Sequence, residues 1–227
     1  MRKDLEHKLN SFFSRYKEHY DDDMVRFTMD NIEDYLEGGT EIDLLSQVAY
    51  AIGEKSKHPM ITYDRFIDYL KEHNGLDQDI LEVSCGMYPV LADKIDQYQT
   101  SIGKGSITGM DPLLITTSLG NIRLNREIFN INTDISKYSL VTGFYPCDPT
   151  LDIITKANKE DKDFTLALCG CTHYSNPYQF YLNPSYDGWL NYLYNCALET
   201  VPSDRKIEFD DVEGFEYPII FSKKKRM

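Results

Sequence analysis

Short apolar runs alternate with polar or helical stretches from residue 79 to the C-terminus, and this alternation constrains the fold more than any other feature. Seven runs are bounded by Gly, Pro, Asp or Cys: Ile80–Val83, Ser106–Met110, Ile128–Asn132, Ser139–Thr142, Phe164–Cys169, Lys206–Phe209 and Pro218–Ser222. Such runs, separated by helical stretches, are typical of βαβ units with parallel strands. Only residues 210–217 separate the last two runs, which leaves no room for a crossover helix. We therefore expect an α/β protein with a mostly parallel seven-stranded sheet and an antiparallel edge hairpin.

Helical patterns precede the first predicted strand. In residues 1–60 apolar side chains recur at helical spacing, which predicts an N-terminal helical layer that is either a lid or docking segment or a cover for the core. A further helix is predicted from about Thr62 to His73. Its apolar residues on one face are Tyr63, Phe66, Ile67 and Leu70. The chain thus divides into a helical segment, 1–60, and a sheet domain, 61–227.

Composition excludes several classes of protein. The net charge is −13, and a protein that follows a long phosphate backbone needs a basic stripe, so extended nucleic-acid binding is not expected. The sequence has no apolar run of 18 residues and no secretory signal, so no membrane association is expected. Five cysteines, an odd number, favour reduced thiols over a disulfide framework. These features together predict a cytoplasmic protein.

The first predicted strand leads into a turn of small residues. Glu82 lies near the strand end, Ser84, Cys85 and Gly86 follow, and a helix is predicted from about Val90. Small residues let a ligand approach the backbone, and a helix N-terminus offers unpaired N–H donors. A single glycine departs from the dinucleotide fingerprint and disfavours a nicotinamide cofactor. From this segment alone a ligand site and a plain tight turn are equally supported.

An acidic residue also ends the second predicted strand. Asp111, followed by Pro112, lies 25 residues after Gly86. A carboxylate there is placed to accept hydrogen bonds from a ribose diol, although it is also a typical helix-capping residue.

With these segments in order, residues from about 60 to 227 resemble the class I S-adenosylmethionine-dependent methyltransferases. The resemblance adds a third acidic position, Asp134-Ile135, near the adenine, and matches residues 216–223 to the closing antiparallel strand of the family. It implies a Rossmann-like sheet with S-adenosylmethionine as the cofactor. The cofactor-binding residues it implies are Glu82, Ser84, Cys85, Gly86, Asp111, Pro112, Asp134, Ile135, Gly143 and Phe144.

Cysteines cluster after the fourth and fifth sheet-forming runs. Cys147 follows the fourth run, Cys169 ends the fifth, and Cys171 and His173 come directly after it, so all four are expected at one sheet edge. Zinc binding, a thiolate nucleophile similar to that of RNA cytosine-5 methyltransferases, and simple packing are the three interpretations. We predict no metal site, because a clear second ligand pair is missing. Residues 146–150 and 169–173 also resemble the group that contains the tRNA acceptor-stem 2′-O-methyltransferases.

The resemblance implies methyl transfer to an unidentified acceptor, namely a small molecule, a protein or a local RNA site. His173, Asp148 and Cys147 are the candidate catalytic residues, the first two as aids to deprotonation of the acceptor. The alternative is a module that binds S-adenosylmethionine without catalysis or serves a partner subunit. The sequence predicts neither the methylated atom nor the oligomeric state.

Overall fold

The computed structural model describes residues 60–86, 89–114, 118–169, 186–215 and 217–224, together with His7 and Asn10. The predicted helical segment 1–60, apart from three residues, lies outside this part of the chain, and so do Cys171 and His173. In chain order the elements are α1 (Met60–His73), β1 (Asp79–Val83), α2 (Val90–Ile102), β2 (Ser106–Met110), β3 (Ser118–Leu119), β4 (Ile122–Asn125), β5 (Leu140–Phe144), α3 (Thr150–Lys159), β6 (Asp163–Ala167), α4 (Tyr186–Thr200), β7 (Arg205–Asp210) and β8 (Ile219–Lys224).

The strands of the described residues form one sheet, in the order β3-β4-β2-β1-β5-β6-β8-β7. Strands β4, β2, β1, β5 and β6 are parallel, whereas β8 is antiparallel to both of its neighbours, β6 and β7. This arrangement confirms the predicted α/β class, the mostly parallel seven-stranded sheet and the antiparallel edge pair. The two-residue strand β3 adds an eighth member, antiparallel to β4, at the opposite edge.

The strand order reverses between β1 and β5. From β1 the chain extends the sheet in one direction through β2 and β4, then returns to β5 on the other side of β1 and continues to β6. In open α/β sheets, ligands bind outside the carboxyl ends of the strands at such a switch point. The turns after β1 and β5 are therefore where the fold itself predicts a site.

Two hydrophobic cores cover the two faces of the sheet. Ile80 contributes to a core with α1 and α2, while its neighbours Leu81 and Val83 contribute to a second core with α3 and α4. Successive strand residues point to opposite faces, and β1 is buried on both. Helix α1 belongs to the first core: Phe66 and Leu70 are fully buried, Ile67 is 6% exposed and Tyr63 is 9% exposed, which confirms the predicted apolar face.

The third predicted strand is wrong. The structure places β4 at Ile122–Asn125, and the apolar run 128–132 forms a loop in which Ile128 is 71% exposed. Asn130 and Thr133 stabilise this loop with local hydrogen bonds: the Asn130 N–H donates to Thr133 Oγ1 (3.0 Å), and the Asn130 side chain accepts from the Asn132 N–H (2.9 Å). Such side-chain bonds compete with the strand ladder, which explains why the apolar run is misleading. Among the described residues, none of the helices is long and apolar enough to span a membrane.

Candidate functional site

The turn after β1 holds its backbone in a restrained conformation. Ser84 has φ 59°, in the left-handed region that a side chain disfavours, and Gly86 has φ 75°. The Ser84 N–H donates to the Met110 carbonyl (2.9 Å), and its Oγ donates to the Pro146 carbonyl (3.1 Å). Ser84 thus links its own turn to the end of β2 and to the turn after β5. Backbone strain of this kind persists only where surrounding bonds enforce it, and it is frequent at ligand sites.

Asp111 connects the end of β2 to the same turn. Its Oδ2 accepts the Gly86 N–H (2.9 Å) and its Oδ1 accepts the Leu113 N–H (2.7 Å). The side chain is 7% exposed, and this burial raises its pKa. The two backbone hydrogen bonds lower the pKa and offset part of this increase. Each carboxylate oxygen has a second lone pair, so each can still accept a hydrogen bond from a ligand. The structure therefore brings Gly86 and Asp111 together.

The turn after β5 lies directly against the β1 turn. A Cβ on Gly143 would lie 3.0 Å from Pro146 Cβ and 3.1 Å from the Val83 carbonyl oxygen, so this position strongly favours glycine. Tyr145 and Cys147 both have positive φ, 57° and 45°. The chain therefore folds Pro146 back onto the ends of β1 and β5.

Phe144 is covered by helix α1. Its ring stacks on Tyr63 at a centroid distance of 4.2 Å and meets Tyr145 edge-on at 4.3 Å, and Phe66 lies 5.6 Å away. Phe144 is 6% exposed, so little of its ring is open to a ligand. Its main role in this structure is to pack α1 against the candidate site.

A cavity of about 440 Å³ opens beside the ends of β2 and β4. Its lining residues are Met110, Asn125, Glu127, Ile128, Asn130, Asn132, Thr133, Asp134, Lys137 and Tyr138. Asp134 is exposed there, and the hydrogen bond from the Ser136 N–H (2.9 Å) lowers its pKa, so it is ionised at neutral pH. One of the lining residues, Met110, immediately precedes Asp111 in the chain. The volume of the cavity is within the range of small-molecule sites, about 300–1,000 Å³.

The other predicted cofactor residues, unlike Asp134, do not line this cavity. Glu82 is 2% exposed and shares the strand face of Ile80, towards α1 and α2, whereas Met110 and Tyr138 of the cavity belong to the core on the other face. Ile135 is fully buried in that second core. Cys85 is buried and Pro112 is exposed. The structure thus groups Ser84, Gly86 and Asp111 in the turns after β1 and β2, places Asp134 in the cavity lining and leaves Glu82 within the sheet.

Two of the cysteines predicted to converge do so. Cys147 Sγ and Cys169 Sγ are 3.2 Å apart, and neither cysteine is in a disulfide. Asp148, the neighbour of Cys147, is exposed. No group of three or more potential metal-ligating side chains occurs in the described part of the chain.

Most of the residues that line the cavity are not among the site residues predicted from the sequence. Asn125 ends β4, which lies before the predicted third strand, and Lys137 and Tyr138 lie just before β5. The sequence does carry a signal for Asn125: residues 122–125, Ile-Arg-Leu-Asn, alternate apolar and polar side chains as a strand does, and a polar residue at the end of a parallel strand is a candidate site residue.

The sequence matches no protein-family model and no curated protein. Among solved structures, the chain is similar to a methyltransferase from Pyrococcus furiosus, at 12% identity and a TM-score of 0.47, over 71% of this chain and 81% of that one. It is also similar to a candidate methyltransferase from Thermoplasma acidophilum, at 19% identity and a TM-score of 0.31, over 65% and 68% of the two chains. The fold is defined by the strand order itself, a Rossmann-like sheet consistent with the class I methyltransferase fold.

Proposed function

We propose that this protein binds S-adenosylmethionine at the carboxyl edge of β1, β2 and β4 and transfers its methyl group to an acceptor. The observation that carries the proposal is the pairing of Asp111 with Gly86 at the switch point, at the same edge of the sheet as the cavity that Asp134 lines. The acceptor is a small molecule, a protein or a local RNA site.

The residues fit an adenosyl group by their chemistry. Asp111 retains two lone pairs for a ribose diol and is already oriented by its two backbone bonds. The cavity offers the Tyr138 ring, Met110 and several amides beside Asp134, a mixture of apolar surface and hydrogen-bonding groups that suits a purine. Ser84 and Gly86 let the backbone of the β1 turn approach the cofactor. We assign Glu82, Cys85, Pro112, Ile135, Gly143 and Phe144, which lie in or near the ends of β1, β2 and β5 and the loop before β5, to the surroundings of the same site.

When bound, S-adenosylmethionine supplies a methyl group activated by its sulfonium centre. The task of the protein is then to hold the acceptor in line and exclude water, and such orientation supplies up to about 7–11 kcal/mol of a barrier. Cys147 and Asp148, on the turn after β5, are our candidates to contact the acceptor. We assign the same role to His173, which follows β6 in the sequence.

Calorimetry with S-adenosylhomocysteine tests the cofactor assignment. We expect the full chain to bind it, and Asp111→Asn to weaken binding roughly 10–100-fold, the equivalent of a lost hydrogen bond to a charged group. The matched control is Asp79→Asn: Asp79 begins β1 at the opposite edge of the sheet and accepts a hydrogen bond from Ser106 Oγ (2.6 Å). The control should bind as the unmodified protein does.

Absence of binding, or equal weakening by both variants, contradicts the proposal. Binding of NAD in place of S-adenosylhomocysteine assigns the site to an oxidoreductase. A further assay adds the protein and labelled S-adenosylmethionine to a cell extract. If the protein binds S-adenosylhomocysteine but releases no labelled methyl group in this assay, it is a binding module that serves a partner.

A further inference from the structure

Two thiols meet at the carboxyl edge of the sheet. Strands β5 and β6 are parallel neighbours, with Phe144 opposite Ala167 at their ends. Cys147 follows Phe144 by three residues and Cys169 follows Ala167 by two, so the register of the sheet brings them together. Their sulfur atoms are 3.2 Å apart. A disulfide bond requires about 2.05 Å, so a shift of about 1 Å joins them.

Several interactions hold the Cys147 turn in this position. The Tyr145 N–H donates to the Ala167 carbonyl (2.9 Å), which ties the turn to β6 just before Cys169. The Cys147 carbonyl accepts from Thr150 Oγ1 (2.8 Å) at the start of α3. With the Ser84–Pro146 bond, these contacts hold Cys147 at φ 45°, which an unrestrained cysteine avoids. The proximity of the thiols is therefore built into the turn.

The two thiols differ in access to solvent. Cys147 is half-buried, whereas Cys169 is 5% exposed. A reagent thus meets Cys147 first, and Cys169 is placed to react second. We propose that Cys147 and Cys169 form a redox-active dithiol that a low-molecular-weight disulfide of the glutathione class oxidises to an intramolecular disulfide. The assignment rests on the positions of the two thiols and holds whether or not Cys147 also contacts a methyl acceptor.

The reaction is a double thiol–disulfide exchange. The Cys147 thiol loses its proton, and its sulfur attacks one sulfur of oxidised glutathione, releasing one glutathione thiolate and forming a mixed disulfide. The Cys169 thiolate then attacks the Cys147 sulfur and releases the second glutathione. Overall, two protein thiols are oxidised, one glutathione disulfide is reduced to two thiols, and both protons pass to the released thiolates. The product links the turn after β5 to the end of β6.

Mass spectrometry of the full-length protein tests the inference. The reduced protein is incubated with oxidised glutathione, quenched with an alkylating reagent and digested with trypsin. Before alkylation the intact mass should fall by two hydrogen atoms, and after alkylation the oxidised protein should carry two alkyl groups fewer than the reduced protein. We expect the peptide 138–156 to be linked to the peptide 163–205. Reduction should reverse both changes. The linked form should unfold at a higher temperature, by up to roughly 10 °C, because a loop of this length constrains the unfolded chain.

The peptide 163–205 contains three cysteines, Cys169, Cys171 and Cys196. Single substitutions are therefore needed to identify which of them is joined to Cys147. Cys169→Ser should abolish the link and leave a stable glutathione adduct on Cys147, whereas Cys171→Ser and Cys196→Ser should retain it. Cys196, half-buried on α4, is the matched control. A link that survives in Cys169→Ser, or that is lost in Cys171→Ser, overturns the inference. The inference is also overturned if the unmodified protein forms no link with oxidised glutathione when reduced glutathione is left out. Should Cys169→Ser fail to fold, Cys147→Ser serves in its place and must likewise lack the link.

Discussion

Gly143 provides the sharpest test of how the two turns at the switch point fit together. In Gly143→Ala the new methyl group would meet the Pro146 ring at 3.0 and 3.1 Å and the Val83 carbonyl oxygen at 3.1 Å. These neighbours are a rigid ring and backbone, so relief requires the whole turn to move. That movement would strain the Ser84–Pro146 hydrogen bond, which joins the same two turns.

The matched control is Gly109→Ala on β2. There the methyl group would meet Leu124 Cδ2 at 3.1 Å and Cys85 Sγ at 3.2 Å, which are the ends of side chains that can rotate away. Overpacking costs about 1–3 kcal/mol and a lost hydrogen bond about 0.5–1.5 kcal/mol, whereas replacing glycine in a strand recovers about 0.5–1 kcal/mol. We expect Gly143→Ala to lower the free energy of unfolding by about 1–4 kcal/mol and Gly109→Ala to change it by at most about 1 kcal/mol.

Urea unfolding, followed by tryptophan fluorescence, measures both variants. Trp189 is the only tryptophan in the sequence, is 1% exposed and stacks on Tyr192, so its emission reports loss of the second core. S-adenosylhomocysteine binding to the Gly143→Ala protein should weaken as well. Equal stability of the two variants, or a larger loss in Gly109→Ala, would refute the argument that Pro146 fills the space beside Gly143.

Three further predictions concern other restrained positions. Ser84→Gly should be about 1–2 kcal/mol more stable than Ser84→Ala in urea unfolding, because both lose the hydroxyl but only glycine relieves φ 59°. Arg205→Ala should lower the free energy of unfolding by about 2–4 kcal/mol, since it removes a buried guanidinium paired with Asp161 and Asp163; the partial exposure of both carboxylates limits the loss. The hydrogen bonds from Arg205 and Lys224 lower the pKa of Asp161, so its contribution is complete above about pH 4 and is lost as the pH falls below that value. As the pH is lowered below about 4, the urea concentration at the midpoint of unfolding should therefore fall less steeply in Asp161→Asn than in the unmodified protein. An equal slope in the two proteins would contradict this role of Asp161.

The strands buried on both faces of the sheet are predicted well from the sequence. Residues 106–110 form β2 as predicted, and β1, β5 and β6 differ from the predicted runs by at most two residues at each end. A strand covered by helices on both sides must be continuously apolar, and such runs stand out in any sequence. The edge strand β7 also agrees with its predicted run to within one residue at each end. Strand β4 is short and half-polar, and the nearby apolar run 128–132 gives the stronger strand pattern although it forms a loop.

The candidate site also has features that the sequence predicts and features that only the structure shows. The sequence by itself determined that acidic and small residues end β1 and β2, because a strand followed by a turn and a helix is a local pattern. Only the tertiary structure decided what these residues contact: Asp111 binds the Gly86 N–H, Ser84 binds the Pro146 carbonyl, and Cys147 meets Cys169. These partners are 22 to 62 residues apart in the chain, and the register between neighbouring parallel strands sets their distances. Long-range register depends on the packing of both cores, which no local pattern of residues encodes.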